Sequence, residues 1–495
     1  MTVPPELQCP GEVGTITLAV CRARQQRHYE KCPRCPFADM DLLAPVRAAT
    51  STEPYEKAFK PDHVRGVYPE EFNEKMAEQI GSATARFLGA ESLVLTRDMR
   101  LSGPRLSRAL AQGILTVGSN VIDCGIVSTD ASHFAISRLD ASGGIQVTAS
   151  HESANWNGLK ISRERGMPMS NETGLENIQR IAMGPPARPT QNRGQLEEID
   201  ILGDFVRHVL SHARDPEALK VAVDAGNGMA GKMLPPILDK LPVDVTPLYF
   251  DLDGAFPNHD PDPLRPENLR DLRRVVREEK CDFGAAFDGD GDRVVIVDER
   301  GEVVPSDFLT ALLAGYFLRR NRGGTILHDM RSSWVVAEEI RKHGGKPTTD
   351  RVGYSYMKTA MRQRDAVFGG GLSGHFYFRS NNYSDSGAIA LVELLNLLSE
   401  RRQPLSDLLR PLHRYYSTGE LNFEVADPAL KMREIRDAFP EGRVSTIDGV
   451  TVEFDDWWLN LRPSASGTAV RLSLEATTRR LMEEALKRVS EMLED

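Results

Sequence analysis

Gly284-Ala285-Ala286-Phe287-Asp288-Gly289-Asp290-Gly291-Asp292-Arg293-Val294-Val295-Ile296-Val297 is an apolar run, an acidic turn and a second apolar run in direct succession. Short apolar runs bounded by turn residues read as buried strands. The turn carries a carboxylate at every second position with glycine between. Its backbone can therefore fold tightly enough to aim three carboxylates at one hard cation such as Mg²⁺. A calcium loop competes, because Asp288, Asp290, Asp292 and Glu299 fall at positions 1, 3, 5 and 12 of the EF-hand pattern. Arg293 stands where that pattern requires glycine, and Val294 to Val297 followed by a turn at Glu299 to Glu302 reads as a hairpin, not as the exit into a helix. A solvated acidic turn is the remaining reading.

The same order of short strand, then loop rich in Gly, Asp or Ser, recurs along the chain. Strands are expected at Ser92 to Leu95, Gly144 to Val147, Val221 to Asp224, Gly284 to Phe287 and Thr325 to Leu327. Between them lie amphipathic stretches such as Ser102 to Val117, with Leu106, Leu110, Ile114 and Val117 at helical spacing. Leu481 to Leu493 reads as a closing helix. Such alternation predicts α/β layers with parallel or mixed sheets, whose ligands bind beyond the carboxyl ends of the strands. No fixed-period repeat or low-complexity tract is legible.

Three further loops carry chemistry. Thr148-Ala149-Ser150-His151-Glu152-Ser153 leads on to Lys160, and a serine at a strand end beside His and Lys fits an activated nucleophile. Serine next to histidine is also common in plain turns. Gly369-Gly370-Gly371-Leu372-Ser373-Gly374-His375 permits close approach of backbone to a ligand. Arg462-Pro463-Ser464-Ala465-Ser466-Gly467-Thr468, with Arg471 beyond, offers guanidinium forks and hydroxyls suited to a phosphate. A turn and a solvated basic loop are the plain readings of these two.

Composition bounds the rest. The 495 residues exceed one domain. A net charge of -10 would repel nucleic acid and anionic membranes, so an anionic substrate needs a local cluster of arginines and lysines. No apolar run reaches the roughly 20 residues of a membrane span. The first residues lack the basic-then-apolar order of a signal peptide, which makes cytoplasm the expected location. Cys9, Cys21, Cys32 and Cys35 crowd the start, ahead of a polar linker from Leu43 to Tyr55. They could supply four thiolates to a structural Zn²⁺, with His28 as an alternative ligand; an unligated arm and a redox or iron-sulfur site compete.

In this order the loops resemble the α-D-phosphohexomutase family, in its phosphomannomutase and phosphoglucomutase branch. Further segments are similar: Phe59 to Gly66, Arg97-Asp98-Met99-Arg100-Leu101-Ser102, Val223 to Gly228, and Phe256 to Pro263. The resemblance runs from about Phe59 to the C-terminus. It implies four domains around a central cleft, three similar mixed-sheet α/β domains plus a smaller α+β C-terminal domain, preceded by the Cys-rich arm. The expected boundaries are 1–55, 56–202, 203–303, 304–414 and 415–495. It implies a hexose phosphate mutase that uses Mg²⁺ and passes through hexose 1,6-bisphosphate. Ser150 would carry the phosphoryl group, and Asp288, Asp290 and Asp292 would bind Mg²⁺ together with a phosphoserine oxygen. Arg293, Arg65, His151, Lys160 and His375 would stabilise charge or move protons. Ser373, Gly371 and Arg351 would lie on the sugar side, and Arg462, Ser464, Ser466 and Arg471 would anchor the phosphate that does not react. A monomer or small homo-oligomer is expected, with a small hexose phosphate as its partner.

Some positions depart from the family pattern. Gly371 replaces a glutamate, Glu152-Ser153 replaces Asn-Pro, His63 replaces an aspartate, and Ala465, Gly467 and Thr468 replace an amide, an acid and a proline. Loss of a charged partner to sugar hydroxyls is worth on the order of 1.5–3 kcal/mol, which bears on substrate choice. Glu152 should repel a phosphoserine at its neighbour unless it points away. A divergent relative with a binding or regulatory role, and a phosphate hydrolase using Ser150, are the competing functions.

Overall fold

The computed structural model describes residues 53–464 and 469–494 and the backbone of two short strands, Glu6–Gln8 and Thr15–Thr17, which pair antiparallel. Cys9, Cys21, Cys32, Cys35 and His28, with the zinc site expected of them, lie outside the described residues, as do Ser466 and its neighbours 465–468. Two compact units form: Met1–Val295 with Ser384–Asn396, and Ile296–Tyr383 with Leu397–Asp495. Among the described residues no helix is long and apolar enough to cross a membrane.

The first unit opens on a six-stranded mixed sheet. Its order is Val64–Val67, Trp156–Arg163, Gly143–Val147, Ser92–Arg97, Asn120–Ile126, Leu196–Glu198. The last four run parallel, while Trp156–Arg163 is antiparallel to both of its neighbours. Its core gathers Ile80, Phe87, Leu93, Leu110, Ile145 and Leu159.

Helix Glu74–Leu88 is capped by Asn73, whose side chain accepts the Met76 N–H at 3.2 Å, and ends at Gly89 with φ 59°. It lies against helix Gly103–Thr116 so closely that a Cβ on Gly113 would sit 1.9 Å from the Glu78 carbonyl oxygen. Backbone rather than a movable side chain is the obstacle, so Gly113→Ala must push the two helices apart. It should destabilise this unit by about 1–3 kcal/mol, read as a lower urea midpoint.

A second layer of the first unit holds three parallel strands in the order Val243–Leu248, Leu219–Asp224, Phe283–Phe287. The chain passes from the first unit to the second within strand Val294–Asp298. That strand, closed by a turn in which Gly301 donates to Asp298 O at 2.9 Å, excludes the helical exit of a calcium loop.

In the second unit, Lys346–Asp350, Thr325–Asp329 and Phe368–Gly370 run parallel, and Phe376–Phe378 returns antiparallel. The C-terminal part is a five-stranded antiparallel sheet, Tyr416–Glu424, Ala469–Ala476, Trp457–Pro463, Val450–Glu453, Arg443–Ser445. Its two faces differ because strand side chains alternate. Leu459, Leu461, Val470, Leu472 and Leu474 pack with Ile435, Phe439 and Val489 into one core. Glu420, Arg471, Ser473 and Arg462 fall on the other face by register. Three α/β sheets and an antiparallel α+β C-terminal sheet are the fold class expected from the sequence, with each expected strand present and extended by one or two residues.

His328, on strand Thr325–Asp329, is buried, and burial outweighs the attraction of Asp329 to hold its pKa down at about 4. Above pH 6.5 the ring is neutral folded or unfolded, and it contributes no slope. Between pH 6.5 and about 4 only the unfolded chain takes up the proton, so stability falls with falling pH by about 3 kcal/mol in all. Denaturant titrations across that window should show the slope, and His328→Gln should flatten it.

Candidate active site

Strand Gly143–Val147 is buried at every position and delivers Thr148, Ala149 and Ser150 to the carboxyl end of the sheet's parallel strands. Ser150 is fully buried, with φ 53°, in the left-handed region that non-glycine residues seldom adopt. Two contacts hold it there. The Ser150 N–H donates to Thr148 Oγ1 at 2.8 Å. The buried Arg100 guanidinium donates to the carbonyls of Ser150 at 2.9 Å, Ser153 at 2.7 Å and Trp156 at 3.0 Å. Asp98 in turn fixes Arg100, with Nε to Oδ2 at 3.2 Å and both side chains out of solvent. Sequence reading quoted Arg100 only as part of a motif; that it staples the serine loop by its carbonyls depends on tertiary placement.

The acidic turn meets this loop directly. Ser150 Oγ donates to Asp288 Oδ2 at 2.8 Å, and His151 Nδ1 lies 3.3 Å from Oγ. A Cβ on Gly289 would sit 2.6 Å from the Ser150 carbonyl oxygen, so this position needs glycine for close approach. Asp288 Oδ1 accepts the Arg293 N–H at 3.1 Å, and Arg293 Nε lies 3.5 Å from Oδ2. Lys160 is carried in by the register of Trp156–Arg163 against Gly143–Val147, where it faces Gln146. Its Nζ donates to Asp290 Oδ2 at 2.7 Å and Asp292 Oδ2 at 2.6 Å.

Asp288, Asp290 and Asp292 are all buried. Burial, reinforced by the charges of Asp290 and Asp292, pushes the Asp288 carboxyl well above the usual carboxylate range. Burial works against the Lys160 ammonium as well, but Asp290 and Asp292 outweigh it and raise its pKa. One ammonium therefore bridges two of the three crowded carboxylates and offsets one of their charges. The triad offers three carboxylate oxygens within 4.8 Å of one another, and Asp290 Oδ1 is buried with no hydrogen-bond partner. Hard, converging oxygens with an unsatisfied lone pair suit a divalent cation of the Mg²⁺ type.

Arg65 lies on strand Val64–Val67, and its Nη1 pairs with Glu152 Oε1 at 3.2 Å. The carboxylate expected to repel a phosphorylated Ser150 is thus engaged by an arginine. His63 Nδ1 lies 2.6 Å from Asp62 Oδ1, and burial together with the Arg65 charge lowers its pKa.

The second unit holds the other expected residues. Gly371 donates its N–H to His375 O at 2.9 Å across the turn between Phe368–Gly370 and Phe376–Phe378, and Ser373 Oγ lies 2.8 Å from His375 Nδ1. His375 is buried and stacks near Tyr377. A Cβ on Gly371 would meet nothing nearer than Ser373 Oγ at 3.6 Å, so space for a side chain exists there. Arg351 lies over the Tyr356 ring, 3.8 Å from its centroid. Ser464 closes the end of its strand by donating its N–H to Ala469 O at 2.8 Å.

Arg462 Nη2 and Arg471 Nη1 both reach Glu420, at 2.6 and 3.0 Å. Arg331, from the loop after Thr325–Asp329, joins them on Glu420 at 2.6 Å and is clasped on its other edge by Asp329. Sequence reading missed Arg331, Asp329 and Glu420. A signal existed for the first two, since Asp329-Met330-Arg331 follows a strand end like every other functional loop.

Comparison with known proteins agrees along most of the chain. The models of the phosphoglucomutase/phosphomannomutase alpha/beta/alpha domains I, II and III match residues 56–184, 203–301 and 305–415. A phosphomannomutase of Escherichia coli is 36% identical over 432 residues, which span 84% of this chain and 94% of that protein. A protein of Xanthomonas campestris named for phosphohexose mutases is 36% identical over 426 residues, with the same coverage of 84% and 94%. The crystal structure of a phosphoglucomutase/phosphomannomutase family protein from Burkholderia thailandensis superposes with a TM-score of 0.82 at 33% identity, covering 90% of this chain and 98% of that one. A serine buried against a three-aspartate turn, on sheets that match domain by domain, places this chain in the phosphoglucomutase/phosphomannomutase family of hexose phosphate mutases.

Proposed function

We propose that this chain interconverts the 6-phosphate and 1-phosphate of a hexose, mannose, glucose or both, with Ser150 accepting and returning the phosphoryl group and hexose 1,6-bisphosphate as the intermediate. The observation that carries this reading is the hydroxyl of Ser150, 2.8 Å from Asp288 Oδ2 and backed by a buried carboxylate triad.

Phosphoryl transfer needs positioning and charge neutralisation above all. Phosphoserine would donate to a free sugar hydroxyl: the P–Oγ bond breaks, the sugar O–P bond forms, and the hydroxyl proton passes to a base. That role is assigned to His375, imidazole being the side chain most often used to accept and return a proton. The bisphosphate then turns over, and its other phosphate returns to Ser150. Asp288, Asp290 and Asp292 would hold Mg²⁺, which supplies Lewis-acid neutralisation of the phosphoryl charge when bound. Lys160 bridges Asp290 and Asp292 and offsets their mutual repulsion. Arg293 orients Asp288 through its backbone N–H, His151 Nδ1 lies within reach of the Ser150 hydroxyl, and Arg65 engages Glu152 two residues on. Ser373 and Gly371, with Arg351 as a further candidate, are assigned to the sugar, and Arg462, Ser464, Ser466 and Arg471 to the phosphate that does not react.

Turnover of a panel of hexose 1-phosphates, with a trace of the matching bisphosphate, tests the assignment. Conversion to the 6-phosphate should require a divalent cation, stop on chelation and return on adding Mg²⁺. Release of inorganic phosphate without isomerisation would replace this reading by a hydrolase.

A further inference from the structure

Arg462 and Arg471 are direct cross-strand partners on the polar face of the C-terminal sheet. Like charges so placed repel, and an anion between them is what makes the arrangement tolerable. Glu420, one strand further on and opposite Ser473, supplies that anion. Its Oε2 accepts from Arg331 Nη1 and Arg462 Nη2, both at 2.6 Å, and its Oε1 from Arg471 Nη1 at 3.0 Å. Three guanidinium groups converging on one oxyanion are the donor pattern of a phosphate seat.

We propose that Glu420 is an internal competitor for that seat: its carboxylate holds the place of the substrate's non-reacting phosphate, and binding exchanges one anion for the other. The inference rests on the assignment of Arg462 and Arg471 to phosphate. Three features favour exchange over a fixed strut. Arg331 does not depend on Glu420 for its orientation, because Asp329 accepts from its Nε at 2.9 Å, its Nη2 at 2.6 Å and its backbone N–H at 3.0 Å. The Glu420 side chain is 28% exposed, so solvent and ligand can reach it. A cavity of about 370 Å³ within the second unit is lined by both Arg331 and Glu420 and by Leu372 of the sugar turn, so an anion leaving or entering the seat has a path beside the sugar residues.

Exchange also sets selectivity. Three guanidinium groups face two carboxylates, Asp329 and Glu420, so a monoanion gains little by replacing Glu420. A phosphate dianion, with more acceptor oxygens and more charge, gains more.

Isothermal titration of the full chain with inorganic phosphate reads the exchange directly, apart from turnover. Glu420→Gln keeps the side chain's size but removes the competing charge, and should tighten phosphate binding by about tenfold or more. Glu420→Asp, which keeps the charge on a shorter stem, should fall between. Unchanged or weaker binding in both variants, with Arg471→Met still abolishing it, would overturn the exchange and make Glu420 a strut. Phosphate binding that survives Arg471→Met would overturn the phosphate assignment itself.

Discussion

Ser150→Ala should lower the rate of hexose phosphate interconversion by at least about 10⁴-fold, the scale on which removal of a covalent nucleophile acts. The protein should remain folded. The backbone contacts that hold the residue, from Thr148 Oγ1 and Arg100, do not use the hydroxyl. Alanine also accepts the left-handed φ no worse than serine, since each carries one Cβ. Loss of the hydroxyl's hydrogen bond to buried Asp288 should cost only about 1–3 kcal/mol, read as a modestly lower urea midpoint, so a folded protein with lost turnover separates chemistry from folding. A residual rate near that of the unaltered protein would mean that some other group carries the phosphoryl.

Lys160→Met should strongly destabilise the first unit. Lys160 Nζ donates to both Asp290 and Asp292, at 2.7 and 2.6 Å. Its removal takes the ammonium from two buried carboxylates, and breaking a buried pair from one side costs about 3–5 kcal/mol. Methionine fills much of the same volume, so the loss is electrostatic more than steric. The sign of the metal response follows. In chelated protein the variant should unfold at distinctly lower urea. Added Mg²⁺ should raise its midpoint by more than it raises that of the unaltered chain, because the cation then replaces the missing charge. Equal Mg²⁺ responses in the two proteins would show that the triad is not where the metal binds.

Much of this site was legible because its chemistry sits at strand ends. The runs at Gly144 and Gly284 announce themselves by short apolar composition, and the loops that follow carry Ser150 and the three aspartates. The glycine-spaced acidic turn was readable down to its exclusion as a calcium loop, since a strand at Val294 cannot be a helix. Pairings across long sequence separations were not readable. Arg100 holds the serine loop from 50 residues away, Arg65 meets Glu152 across 87, and Arg331 meets Glu420 across 89. Each is an ordinary surface charge until the fold buries it beside its partner. The reading of Glu152 shows the limit: its charge implied repulsion at the nucleophile, and only the structure supplies the arginine that engages it.

Mass spectrometry with peptide mapping, after the phosphorylated enzyme has turned over one equivalent of hexose 6-phosphate carrying ¹⁸O in its phosphoryl oxygens, tests the central claim most directly. The label should be recovered on Ser150, and the hexose 1-phosphate released should carry the unlabelled phosphoryl group that Ser150 held at the start. A phosphoryl group on Ser150 that stays unlabelled while the sugar isomerises, or label found on a different residue, would contradict it.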